Sequence, residues 1–401
     1  MPKIFEIESL LEENNNIKIL LAGHMGSGKS TELHRLSYEI KKNYEVIKFS
    51  IQETNDPIGI QYEDLLVSSV DQVLNYLNTI GKLEEIDTSL IVRFKEWINN
   101  VEIIKEKTEK SEINANVEVS AKAEVGFILK FMAKLSSTLK LGSEEKIIYR
   151  VAIDKTVTQL LTLSKELFIV INKILEKELV LIIEDLDKID TEKAKEIFID
   201  KSSILINLPL KVIYTVPIFL LYKSEFSVLE GNTFSCITLP MIKTRTSNDI
   251  DDIYNEGIEK IKELVSKRMN LSLFEDTNTL DFLIKNTGGV LRDLFQVIVK
   301  SSKLALYQKK EVITKDIIEI YLKEKSDFYY RSLSGSCDRK INPSNLIDTL
   351  VNLYANNILK PKSVDENIIE LLRAQVLIEY NGPDTWYGIH PLMISHIKKQ
   401  I

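Results

Sequence analysis

The sequence predicts an α/β fold: a parallel sheet covered by helices, then a helical domain, then a small C-terminal domain of two helices and a hairpin. Three observations carry it. An apolar run ends in a glycine-rich loop that opens a helix, short buried-strand patterns alternate with helical ones as far as residue 239, and strand signals stop after Pro240.

Residues 17–22 are apolar enough for a buried strand, and residues 30–42 follow with Leu33, Leu36 and Ile40 at helical spacing. Residues 46–51 give a second strand, so a βαβ unit opens the chain. Residues 55–178 are mostly helical in pattern and read as an insertion, after which strands fall at 179–183, 210–215 and 236–239. From 250 to 330 the pattern is amphipathic helix, with Leu280, Leu283 and Ile284, then Leu291, Leu294, Phe295 and Ile298. Helices at 343–356 and 364–374 precede strands at 376–380 and 385–389 joined by the turn Asn381-Gly382-Pro383-Asp384, the order of a winged helix. The expected domains are 1–245, with the sheet and the insertion; 246–335, a helical lid; and 340–401, the winged helix.

One stretch of the insertion departs from helical spacing. From Ile113 to Leu135 every odd position is apolar and most even ones are polar, which predicts an amphipathic β segment over 112–141 that bends near Gly126. It is expected either to fold onto its own domain or to offer an edge to a partner or a second copy.

The chemistry concentrates in Gly23-His24-Met25-Gly26-Ser27-Gly28-Lys29-Ser30, which spells GxxxxGKS between strand and helix, with Thr31 following. Backbone N–H groups of such a loop curl around phosphate, Lys29 reaches the β/γ oxygens, and the Ser30 hydroxyl ligates Mg²⁺. The next helix turns its positive end to the same anion. His24 occupies a position that varies freely in such loops, so no catalytic role is expected of its side chain. The strand at 179–183 runs into Glu184-Asp185-Leu186-Asp187, where Glu184 takes the metal role and Asp185 the water role by position. Thr215, ending the next strand, is a candidate for the γ-phosphate or the attacking water. Arg292, in the helix opened by Thr287-Gly288-Gly289-Val290-Leu291, is a candidate for reading the γ-phosphate.

Composition bounds the alternatives. At 401 residues, 44% hydrophobic and 28% charged, the chain is globular and long enough for two or three domains. A net charge of -7 argues against a broadly basic surface that coats nucleic acid. Cys236 and Cys337 are too few for a disulfide framework or a zinc site, so a cytoplasmic home is expected. The amino terminus lacks the pattern of a secretion signal. The longest apolar stretch, residues 212–222, contains Pro217 and falls short of the roughly 20 residues a membrane span needs, so no span is expected.

Together the phosphate-binding loop, the EDLD acids, the strand-end threonine, the GGxxR helix and the terminal winged helix resemble the AAA+ ATPases of ASCE type, and within them the origin-recognition/initiator clade and the STAND signal-transduction ATPases. The resemblance covers residues 17–52 and 179–395. It implies Walker A at 23–30, Walker B at Glu184 and Asp185, sensor 1 at Thr215, sensor 2 at Arg292, and ATP with Mg²⁺ as the bound species. Two departures bear on rate. The Walker B order is Glu then Asp, which puts the catalytic carboxylate on a shorter arm, and no arginine occurs between Arg150 and Arg245, where an arginine finger would lie. Arg245 is a weak substitute.

The expected function is therefore a slowly hydrolysing, ATP/ADP-dependent molecular switch, by analogy in signalling or defence, with a protein partner or self-assembly through the insertion or the winged helix. A DNA-binding initiator or loader is an alternative, and an assembly scaffold held together by nucleotide is another. DNA is not favoured, because residues 340–401 carry six basic and six acidic side chains. Trp386 and Tyr387 are expected to pack within the wing.

Overall fold

The computed structural model describes residues 3–54, 59–109, 121–140, 144–229, 234–334, 341–380 and 385–401. They fall into two compact units: one holds residues up to Ala22, Ser30–Leu220 and Ser224–Ile237, the other Gly23–Lys29, Leu221–Lys223 and Thr238–Ile401.

The first unit is built around a five-stranded sheet. Its elements are α1 (Lys3–Glu13), β1 (Lys18–Ala22), α2 (Lys29–Ile40), β2 (Glu45–Ser50), α3 (Ile51–Thr54), α4 (Tyr62–Thr79), α5 (Thr88–Glu109), α6 (Ala121–Lys140), α7 (Glu144–Ile174), β3 (Leu179–Glu184), α8 (Thr191–Lys195), α9 (Ser202–Ile206), β4 (Lys211–Val216) and β5 (Ser235–Thr238). The strand order is β2-β3-β4-β1-β5. The pairs β2/β3, β3/β4 and β4/β1 are parallel. Every residue of β1, β3 and β4 is buried, which is why these strands are mostly apolar rather than alternating. Register places Ser50 beside Glu184 and Leu21 beside Thr215, so the carboxyl ends of these strands share one edge. Ligands of open parallel sheets bind outside that edge.

At the opposite edge Lys18 is buried, and its Nζ donates to Leu208 O at 2.9 Å and Leu210 O at 2.8 Å. Burial lowers its pKa from 10.5 to about 7. Between those values the unfolded chain holds a proton that the folded chain has released, so stability rises with pH across that window. Urea unfolding at about pH 7 and about pH 9 is expected to show this rise, at most about 1.4 kcal/mol per pH unit, and Lys18→Met is expected to flatten it. An unchanged slope in Lys18→Met would assign the rise elsewhere.

Helices α4 to α7 form the insertion, packed around Trp97, Phe131 and Tyr149. Phe131 meets Trp97 edge-on at 6.2 Å between ring centroids and Tyr149 at 6.5 Å. The expected β segment over 112–141 is corrected here: residues 121–140 are helix α6, and 112–120 and 141 lie outside the described residues. The buried apolar residues described in α6 are Ile128, Phe131, Met132, Leu135 and Leu139, a stripe at helical spacing. Period two misled because Ala121, Ala123 and Ala133 counted as strand-face residues, although alanine is the best helix former. Ile128 and Met132, at even positions, supply the rest of the stripe.

The second unit contains α10 (Asn255–Ser266), α11 (Thr277–Thr287), α12 (Leu291–Tyr307), α13 (Lys315–Ser334), α14 (Pro343–Ala355), α15 (Glu366–Arg373), the antiparallel pair β6 (Leu377–Tyr380) and β7 (Trp386–Ile389), and α16 (Pro391–Ile397). The helix starts are legible locally. Asp276 accepts from the Thr279 N–H at 2.7 Å and Asp365 from the Ile368 N–H at 2.9 Å, each capping its helix. Trp386 and Tyr387 are packed, and the turn at 381–384 lies outside the described residues. One hydrophobic core runs through the unit, from Ile258 and Val297 to Leu346, Leu371 and Met393.

Within that core sits a polar knot. Asp293 of α12 accepts from Lys325 Nζ at 2.6 Å and from the Tyr329 hydroxyl at 2.6 Å, while His390 Nε2 lies 3.7 Å away. Burial works to raise the carboxyl pKa, but the nearby His390 and the hydrogen bonds from Lys325 and Tyr329 hold it at about 2. Among the described residues no helix is long and apolar enough to cross a membrane.

Candidate nucleotide site

The sequence puts the phosphate-binding loop between β1 and α2, and the backbone has the required shape. Gly26 has φ +82° and Gly28 φ +98°, conformations open to glycine at little cost. Ser27 N–H donates to His24 O at 3.2 Å and closes the turn. Lys29 is buried, and its Nζ donates to Gly23 O at 2.8 Å and His24 O at 3.0 Å, so the ammonium is folded back on carbonyls of its own loop. Ser30 and Thr31, on the first turn of α2, are exposed.

The start of α12 backs this loop. A Cβ on Gly26 would lie 2.8 Å from Arg292 Cβ and 3.4 Å from Val290 Cγ1. Gly26 is therefore a glycine for two reasons, its positive φ and the close approach of the Arg292 backbone. Arg292 thus stands next to the loop it is expected to serve. The C-terminal segment reaches the loop as well. Gln375 Nε2 donates to Met25 O, and the Glu379 N–H of β6 donates to His24 Nε2 at 2.8 Å. His24 is buried, and desolvation, then the nearby Lys29 and His390, lower its pKa from 6.5 to about 3. The ring is neutral and Nε2 is an acceptor. Sequence reasoning missed this role, since a freely varying loop position carries no signal of a bond to a residue 355 positions away.

At the end of β3, the two acids are held by residues of β2 and by a neighbour. Lys48 Nζ donates to Glu184 Oε2 at 2.7 Å, and the Ser50 hydroxyl and Lys188 both bind the Asp185 carboxylate. Glu184 Oε1 is buried without a hydrogen-bond partner. Such an oxygen is costly unless something comes to it, and a Mg²⁺ water shell is the chemistry it fits. Asp185 sits at φ +69°, a left-handed conformation that turns the chain sharply out of the strand. The Thr215 hydroxyl accepts from the Leu186 N–H at 3.2 Å and donates to Ile183 O at 3.5 Å, so it ties the end of β4 to the acidic turn. Lys48 and Ser50 were not foreseen, because on β2 they read only as the polar positions of a strand. Arg245 is no free finger: its guanidinium binds Ile250 O and lies 3.7 Å from Asp251. Among the described residues no group of three or more His, Cys, Asp or Glu is placed to hold a metal ion by itself. A cation would need phosphate oxygens to complete its shell.

Residues 6–199 match the KAP family P-loop domain, in keeping with the parallel sheet and the loop that follows β1. No curated protein matches the chain in sequence. In structure the chain is similar to a Walker-type ATPase of Pyrococcus abyssi, at 14% identity and a TM-score of 0.47, over 99% of this chain and 94% of that one. It is also similar to Cdc6p of Pyrobaculum aerophilum, at 12% identity and a TM-score of 0.40, over 99% and 93%. A further match is the RuvB Holliday junction branch migration motor of Thermotoga maritima, at 12% identity and a TM-score of 0.37, over 99% and 92%.

Proposed function

We propose that the protein is an ATP-binding, slowly hydrolysing switch of AAA+/STAND type, in which the state of the phosphate loop governs the C-terminal half. The observation that carries this reading is the packing of Gly26 against Arg292, which makes the lid helix α12 a wall of the phosphate loop. In this reading residues 23–31 hold the phosphates and Arg292 senses the γ-phosphate. Ser30 and Glu184 hold Mg²⁺, which screens phosphate charge when bound, while Asp185 orients the attacking water with Thr215 beside it. The lack of an arginine between Arg150 and Arg245 supports slow turnover.

Phosphate release from ATP is the test. Asp185→Asn and Glu184→Gln are each expected to cut turnover by about 100-fold or more, with ATP binding retained in Asp185→Asn. Wild-type turnover in either variant would remove the assignment of these acids.

A role on DNA is less well supported by the winged-helix segment. Arg373 of α15 is paired with Glu370 at 2.6 Å, and Glu366 at the helix start binds Lys223 at 3.0 Å. A helix whose one arginine is neutralised and whose other charges are acidic repels phosphate. A protein contact or regulatory role for residues 340–401 fits this charge pattern better.

A further inference from the structure

We infer that His24 couples the phosphate loop to the C-terminal strands: its ring docks β6, and capture of phosphate by Lys29 releases that dock. The inference rests on the nucleotide reading above and extends it to the residue that transmits the state. Three contacts define the latch. His24 Nε2 accepts the Glu379 N–H at 2.8 Å, Gln375 Nε2 donates to Met25 O, and Gly288, before α12, leaves room for Pro391, which a Cβ there would meet at 2.6 Å. Glu379 is in turn fixed by the Tyr222 hydroxyl, which accepts from the Tyr387 hydroxyl at 3.0 Å. The latch therefore grips a strand pair that is itself held in place.

Lys29 makes this arrangement sensitive to phosphate. Its ammonium donates to the carbonyl of His24, the residue whose ring holds β6. When Lys29 turns to a phosphate, that carbonyl loses its charged donor and the loop backbone re-forms around the anion. A ring acceptor fixed by one 2.8 Å bond tolerates little displacement. A structural filler at this position would need only volume; a buried imidazole with a backbone N–H aimed at its lone pair is a directional device. By linkage, whatever nucleotide does to the latch, the latch does to nucleotide affinity.

Hydrogen exchange of the full chain tests this, with ATP and Mg²⁺ as the probe and Gln375→Ala and His24→Phe as variants. In the wild type, ATP is expected to raise exchange of the 376–380 amides about tenfold. Gln375→Ala is expected to show the raised exchange without ATP and to bind ATP several-fold more tightly. If ATP binds the wild type but leaves those amides unchanged, the latch is wrong and the nucleotide reading stands. If ATP does not bind at all, the nucleotide reading fails, and the ligand-free comparison decides the dock: faster exchange at Glu379 in His24→Phe supports it, equal exchange in wild type and variant overturns it.

Discussion

Lys29→Ala is expected to weaken ATP binding by at least about 100-fold while the protein remains folded. The ammonium is buried and already engaged by two carbonyls of its loop at 2.8 and 3.0 Å, so it is held where the loop surrounds a phosphate. Charge-assisted hydrogen bonds are worth about 1.5–3 kcal/mol each, and two of them to phosphate oxygens account for a loss of this size. The stability cost should be smaller, about 1–3 kcal/mol, the cost of taking one donor from the carbonyls of two buried residues, and the His24 carbonyl keeps the Ser27 N–H at 3.2 Å. Titration with a fluorescent ATP analogue measures the first effect and circular dichroism the second. A folded Lys29→Ala protein that binds ATP with wild-type affinity would end the nucleotide reading altogether.

The largest stability losses are expected at two glycines that grip the same stretch of backbone. A Cβ on Gly257, in the first turn of α10, would lie 1.7 Å from Lys243 O, and one on Gly289 would lie 1.9 Å from Ile242 O. Both obstacles are main-chain carbonyls, which cannot swing aside as a side chain can. Gly289 also has φ +83°, where an L side chain adds its own strain. Each Gly→Ala change must therefore displace backbone in the core of the second unit, at a cost of about 3 kcal/mol or more. Gly126 is the control: it lies in α6, and a Cβ there meets nothing within 4 Å, so Gly126→Ala is expected to be neutral or to stabilise by up to about 1 kcal/mol. Urea midpoints of the three variants decide it. A Gly257→Ala or Gly289→Ala protein as stable as Gly126→Ala would mean that residues 242–243 do not run where they are described.

These contrasts mirror what the sequence made legible. The strands at 17–22, 46–51, 179–183, 210–215 and 236–239 were found to within a residue or two: β1, β3 and β4 are buried throughout and mostly apolar, while β2 alternates, with Lys48 and Ser50 at its polar positions. The phosphate loop was legible for a different reason: its chemistry needs particular residues at fixed spacing. Helix α6 was misread where alanines satisfied two periods at once. The partners Lys48 and Ser50 escaped because neighbours across a sheet are set by strand order, which no local pattern records. His24, Gln375 and Glu379 escaped for the same reason at greater range, since Met25 and Gln375 are 350 residues apart. Motif logic finds the atoms that touch a ligand, and tertiary contact alone finds the atoms that hold them.

The buried knot of Asp293 with Lys325, Tyr329 and His390 bears on how such a chain could have been assembled by descent. Its carboxylate sits on α12, its amine and phenol on α13, and its imidazole at the start of α16, in the segment that follows residue 341. A crossover near residue 335 that brought in a foreign C-terminal segment would leave a buried anion short of one neighbour. One buried cluster thus ties residues 293–329 to the segment that carries His390, and replacing that segment without His390 is expected to call for a compensating change at position 293.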